Sequence, residues 1–334
     1  MSNIIIPKPW QLKYSQLTKE KNYHNRREVL KKIGLTAGAV LAGPYIMSRA
    51  GKSALSKDGF LQEDNRFNFE GMEDYYPAKR TEKYLLDRPI TEEYLATHKN
   101  NFYEFIHPKD SNIYNAYKYV DKFDNREWDF RVSGLARNKG LFKLEEMIKK
   151  IGLEERTYRF RCVEAWSMAV PWSGFSLASL IKFLEPDSKA KYVRMISYAN
   201  AEQMPGVKHQ DWYDWPYYEG LSMEEAMNEL TFMATGIYGK PLPKQNGAPM
   251  RLVVPWKYGY KSTKSIVKIE FIDYQPETFW HKIAPREYGF ISNVNPEIPH
   301  PRWSQAQEQM MGEDFKRPTL KYNGYGDYVA RLYS

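Results

Sequence analysis

From about residue 100 onward, apolar and polar positions alternate or gather in short runs broken by Gly, Pro and Asn, which predicts strands with few helices. Residues Arg156 to Val163 alternate with period two and predict a strand leading straight through Cys162. The turn signal Gln245-Asn246-Gly247-Ala248 precedes a strand from Met250 to Val254. Tyr258-Gly259-Tyr260 then turns the chain into Ser265 to Ile272, where Ile, Val and Phe alternate with Lys and Glu. Helical spacing is confined to short pieces. Leu144 to Lys150 is closed by Gly152, and Leu177 to Leu184 is capped by Ser176. Ser222-Met223-Glu224-Glu225 is a capping box, in which the Ser hydroxyl and the Glu carboxylate each satisfy an orphan backbone donor. Residues 51–99 are polar without sustained periodicity, which predicts an extended wrapping segment with one short helix near Thr91 to Ala96. The whole pattern predicts an α+β, mostly β, domain over 100–334, with the tail after about Gln275 laid across it.

Composition narrows this. With 334 residues, 42% hydrophobic and 15% aromatic, the chain can bury a sizeable core, and fibrous or disordered classes fall away. The formal charge of +8 suggests a nucleic-acid or membrane-surface binder until its location is known. Residues 1–50 hold nine Lys or Arg against Glu20 and Glu28, so +7 of the +8 sits there and the body is near neutral. A near-neutral body argues against nucleic acid as a partner.

The basic front contains Asn25-Arg26-Arg27-Glu28-Val29-Leu30-Lys31 followed by the small, mildly apolar run from Ile33 to Gly43. It resembles a twin-arginine signal peptide over 1–50, with Ser48-Arg49-Ala50 as a small-x-small cleavage point. That resemblance implies export of the folded protein to the periplasm by the twin-arginine translocase. The cargo of this route is commonly a protein loaded with its cofactor beforehand.

Common catalytic devices are missing from the sequence. The six His residues show no HxH or HExxH spacing, and there is no GxSxG elbow, GxxxxGK loop or GxGxxG turn. A single Cys excludes an internal disulfide, leaving Cys162 as a buried small hydrophobe, a reactive thiol or a metal ligand. Flanking Arg159 and Arg161 are expected to favour its thiolate, the form that binds soft metals.

The block Arg161-Cys162-Val163-Glu164-Ala165-Trp166-Ser167-Met168, then Val170-Pro171-Trp172 and Glu202-Gln203-Met204-Pro205-Gly206, resembles the catalytic subunit of exported protein-methionine-sulfoxide reductase. The likeness continues through Asn101-Phe102-Tyr103-Glu104-Phe105, Gln245 to Pro249, Val254 to Gly259, Asn293 to Pro296 and His300-Pro301-Arg302-Trp303-Ser304-Gln305-Ala306. It implies a sulfite-oxidase-like molybdopterin-binding fold with short helices and one molybdenum–molybdopterin per chain. Cys162 stands where that family supplies its one thiolate to the metal, tuning its electron density and fixing its open position. The cofactor-binding positions carried over are Asn100, Tyr103, Glu104, Ser197, Asn246, Arg251, Ser262, Thr263 and Lys264. Ser197 departs from the Thr usual in the family and keeps the hydroxyl. Amides and a carboxylate suit a pterin edge, while guanidinium and ammonium suit its phosphate. Without the family, Asn246 reads as a hairpin former, Arg251 and Lys264 as strand-face charges, and Asn100 as a turn cap.

The implied activity is reduction of methionine sulfoxide in oxidised periplasmic proteins by oxygen-atom transfer to molybdenum, with electrons from a haem-binding membrane subunit. Trp166 and Tyr258 are expected to line an apolar cleft for the methionine side chain. Two alternatives stay open at this stage: a sulfite-oxidase-fold enzyme acting on another small S- or N-oxide, and a non-catalytic exported binding domain.

Overall fold

The computed structural model describes residues 67–84, 86–110 and 112–334. The expected signal peptide over 1–50 and the expected wrapping segment up to residue 66 lie outside these residues. Two mixed sheets form the domain. In the larger, Lys79–Arg80 pairs in parallel with Glu154–Arg161, which makes a long antiparallel hairpin with Trp166–Ser176. Trp166–Ser176 is also paired to Phe232–Ile237, which in turn carries Arg251–Val253. The smaller sheet orders Gly140–Lys143, Asp129–Gly134, Ile266–Ile272, Tyr192–Ser197 and Tyr218–Ser222.

The local signals produce the helices. Leu177–Leu184 starts at Ser176, whose side chain accepts from the Ser179 amide at 3.1 Å. Leu144–Ile151 ends at Gly152, whose φ of 81° suits a residue without Cβ. The capping box of Ser222 and Glu225 opens Met223–Met227 with both reciprocal bonds present. The short helix expected near Thr91 to Ala96 runs from Glu93 to His98. Among the described residues no helix is long and apolar enough to cross a membrane.

Two expectations change. The predicted strand through Cys162 stops at Arg161, and its polar positions do not face water: Thr157, Arg156 and Arg161 are buried along with Tyr158. They tolerate burial because each charge finds partners, Arg156 on Glu154, the Tyr158 hydroxyl and the Glu229 carbonyl. The tail after Gln275 does more than lie across the domain. Gln307–Met310 enters the larger sheet in parallel beside Trp166–Ser176, and Lys316–Pro318 pairs with it.

The main core holds Trp172, Trp256, Tyr158, Phe102, Phe105 and Phe232 fully buried, and Val163, Tyr258, Tyr288 and Val294 form a second, smaller cluster. Before residue 100 the chain is tied down by the Thr91 amide on the Ala169 carbonyl at 2.8 Å and the Ala169 amide on Thr91 Oγ1 at 3.0 Å.

Candidate active site

Cys162 begins the four-residue turn that joins Glu154–Arg161 to Trp166–Ser176. Its amide donates to the Trp166 carbonyl at 2.9 Å, the Ala165 amide donates back to the Cys162 carbonyl at 3.2 Å, and Ala165 closes the turn with φ of 64°. The thiol, half-buried, faces a cleft that is partly open to solvent.

Of the residues carried over from the sequence, Asn100, Tyr103, Glu104, Cys162, Asn246, Arg251 and Lys264 line this one cleft. They come from four separated stretches of chain. Asn100 follows the Glu93–His98 helix, and Tyr103 and Glu104 sit in the tight turn Tyr103–Phe105. Gly206 lets the Pro205–His209 helix lie directly on that turn, because a Cβ there would stand 2.0 Å from the Tyr103 carbonyl oxygen. Asn246 precedes Gly247, whose φ of 96° and closeness to Lys264 both demand glycine.

Ser197, Ser262 and Thr263 do not line the cleft; they hold the loop behind it. Ser197 Oγ donates to the Lys264 carbonyl at 2.7 Å, and the Val254 amide donates to Ser262 Oγ at 3.2 Å. The Leu252 amide donates to the Thr263 carbonyl at 2.8 Å, and Thr263 Oγ1 is buried with no protein partner.

Three observations describe what this cleft would take. First, the side-chain amides of Asn100 and Asn246 both donate to the Ala96 carbonyl, at 3.3 and 3.0 Å, which fixes their orientation. Their oxygens, and that of Asn101, are left buried without protein partners. Orphaned buried acceptors are costly and rare, so they await N–H donors of the kind a pterin edge carries. Second, Arg251 is buried with only carbonyl partners, Asn246 at 2.9 Å among them, and forms no ion pair among the described residues. Desolvation with no anion nearby pulls its guanidinium below its ordinary value. Third, burial likewise lowers Lys264 and raises Glu104, each opposing the other's shift through their mutual attraction. The buried Arg251 and half-buried Lys264 against the buried Glu104 carboxylate leave a positive excess suited to phosphate.

The charge expected around Cys162 is corrected. In a strand, residues two apart share a face, so Arg159 and Arg161 both point away from the side occupied by Phe160 and Cys162. Arg159 pairs with Asp87 at 2.9 Å, and Arg161 is fully buried against Glu308 at 3.1 Å and Gln305 at 2.8 Å. Burial therefore pushes the thiol up, Glu164 pushes it further, and Arg161 offsets only part.

Glu164 and Asn101 are among the site residues that sequence reasoning passed over, although both stood inside the quoted motifs. Glu164 Oε2 accepts from Asn101 Nδ2 at 3.0 Å and from the Tyr114 hydroxyl at 3.2 Å, and lies 3.5 Å from Cys162 Sγ. The aromatic expectation holds for Trp166, which lines the cleft, and fails for Tyr258, whose hydroxyl turns toward the Asn295 carbonyl at 3.4 Å beside a separate cavity. Tyr260, Trp280 and Tyr288 take its place, with Trp280 5.3 Å from Tyr288 and 5.0 Å from Tyr103 between ring centres. Among the described residues no group of three or more His, Cys, Asp or Glu is placed to hold a metal. A metal bound at Cys162 would take its remaining ligands from its own cofactor.

The family described as the oxidoreductase molybdopterin binding domain matches residues 117–280. A protein from Burkholderia mallei (strain ATCC 23344) named protein-methionine-sulfoxide reductase catalytic subunit MsrP is 44% identical over 323 residues, 96% of this chain and 92% of that protein. The protein of the same name from Ralstonia nicotianae is 42% identical over 329 residues, covering 96% and 93%. Among solved structures, the sulfane dehydrogenase SoxCD from Paracoccus pantotrophus aligns with a TM-score of 0.40 and 16% identity, over 62% of this chain and 53% of that one. The chain belongs to the family of protein-methionine-sulfoxide reductase catalytic subunits, oxidoreductases built on a sulfite-oxidase-like molybdopterin domain.

Proposed function

We propose that this chain repairs methionine sulfoxide in exported, periplasmic proteins, using one molybdenum–molybdopterin with Cys162 as the protein's thiolate on the metal. The observation that carries this reading is the meeting, in one cleft, of that thiol with three orphaned amide oxygens and two cations, Arg251 buried and Lys264 half-buried. Held there, the cofactor would supply two-electron oxygen-atom-transfer chemistry.

The chain's own residues do the rest. Asn100 and Asn246 accept from the pterin edge, and Arg251 and Lys264 hold its phosphate. Trp166, Tyr260, Trp280 and Tyr288 form an apolar mouth in which a methionine side chain sheds water beside the thiolate. Each sulfoxide consumes two protons and releases one water. Glu164, fixed by Asn101 and Tyr114, is the carboxyl group beside the thiol and is placed to relay protons to the reacting position. Electrons come from a haem-binding membrane subunit, and the twin-arginine pair Arg26-Arg27 directs the loaded chain to the translocase.

The purified, exported protein should contain molybdenum by elemental analysis and reduce the sulfoxides of an oxidised model protein when driven by an artificial electron donor. A molybdenum-free preparation, or one that reduces only another S- or N-oxide in competition, overturns the reading.

A further inference from the structure

The motif from His300 to Ala306 has no part in the cleft, yet it reaches the Cys162 turn from behind. Trp303 Nε1 and Gln305 Nε2 both donate to the Val163 carbonyl, at 2.8 and 2.7 Å. Gln305 uses the other end of its amide as well, with Oε1 accepting from Arg161 Nη2 at 2.8 Å. Its orientation is fixed, since a guanidinium only donates and a carbonyl only accepts. Arg161 in turn donates to the Cys162 carbonyl and to Glu308. Glu308, itself buried, also accepts from Arg88 at 2.7 Å and Ser167 at 3.0 Å.

Both carbonyls of the Cys162–Val163 dipeptide are therefore gripped by side chains on the face opposite the cleft. A four-residue turn held only at its ends would let the sulfur shift. This one is fixed through its own backbone by the buried Arg161 and Gln305 and the half-buried Trp303, the arrangement that holds a metal ligand in place.

We propose that Trp303 and Gln305 are positioning residues for the Cys162 sulfur: by clamping the Val163 carbonyl they set the direction from which the thiolate meets the metal. The proposal rests on the reading of Cys162 as the metal's thiolate. It extends that reading to two residues that touch neither metal nor substrate.

The test uses the loaded holoenzyme. Trp303→Phe keeps the ring that stacks 3.8 Å from His300 and removes the donor. Gln305→Glu keeps an acceptor for Arg161 and removes the second donor. The W303F/Q305E enzyme should keep its molybdenum and most of its thermal stability, while the electron paramagnetic resonance spectrum of the one-electron-reduced metal shifts. Its kcat should fall about tenfold or more, with KM changed far less.

An unchanged spectrum with unchanged kcat in the loaded variant overturns the proposal. So does a loss of activity wholly accounted for by lost molybdenum with a wild-type spectrum per metal. If the double variant does not fold, Trp303→Phe alone decides by the same two readouts, with a smaller spectral shift expected. Wild-type protein without molybdenum would sink the reading of the site and the proposal together. Loaded wild type and loaded variants sharing one spectrum would sink only the proposal.

Discussion

Oε2 of Glu164 lies 3.5 Å from Sγ of Cys162, so the nearest charge the thiol faces is a carboxylate, while the two flanking arginines are spent elsewhere. Both that carboxylate and burial raise the thiol above its ordinary value. In cofactor-free protein the sulfur is accordingly protonated at neutral pH. Its alkylation by iodoacetamide at pH 8 should be at least about tenfold slower than that of free cysteine. Glu164→Gln should speed the labelling, and a wild-type rate equal to that of free cysteine would remove the carboxylate's influence.

Glu164→Gln also tests proton handling. The amide can still meet the Asn101 and Tyr114 side chains, so fold and molybdenum content should match the wild type. Turnover of an oxidised model protein should drop by about 10²-fold, the size of a lost general acid. Unaltered turnover would assign the proton to another group.

Arg251→Met replaces a buried guanidinium by an apolar side chain and deletes a phosphate partner. The cofactor-free chain should be no less stable, because an uncompensated buried charge has been removed. Molybdenum retained after purification should fall sharply. Equal metal content in variant and wild type would show that Arg251 holds no anion.

Gly206→Ala would place a methyl 2.0 Å from the Tyr103 carbonyl oxygen, a backbone atom that cannot move alone. The Tyr103–Phe105 turn should be displaced, at a cost of about 1–3 kcal/mol, with lowered cofactor retention. Gly289→Ala, where a Cβ would meet nothing within 4 Å, is the control and should behave as wild type in melting and metal content.

Lys257 is buried in an ion pair with Glu225, and desolvation pulls it down to about 8. In the unfolded chain its value returns to about 10.4. Between these values the unfolded state binds more protons than the folded one, so the Lys257 contribution to stability rises with pH across that window and is flat below it. Urea midpoints measured from pH 7 to 10 should climb more steeply for wild type than for Lys257→Met. Parallel curves would contradict the shift.

Features written in neighbouring residues were legible in the sequence. The Ser176 cap, the Gly152 stop and the Ser222–Glu225 box each satisfy backbone groups within a few positions, so they can be found without the fold. The thiol's environment is half legible: the same two-residue period that predicts the strand also turns Arg159 and Arg161 away from Cys162, whereas sequence proximity alone places both charges beside it. The place of Gln307–Met310 beside Trp166 carried no local signal, because the pairing joins residues more than a hundred positions apart. Tyr258 and Tyr260 are two positions apart and equally aromatic; only the turn between them decides which one reaches the cleft. Ser197, Ser262 and Thr263 could be named from the family motif, yet whether each touches the ligand or braces the loop depends on backbone geometry that residue type does not encode.

Arg161 meets acceptors at Gln305 and Glu308 that are synthesised well over a hundred residues after it. A ribosome-bound chain lacking those last segments would present its sulfur on an unanchored loop. On the proposed reading of Cys162 as a metal ligand, this sets an order of events: translation past Glu308, closure of the sheet, and only afterwards the arrival of the heavy atom.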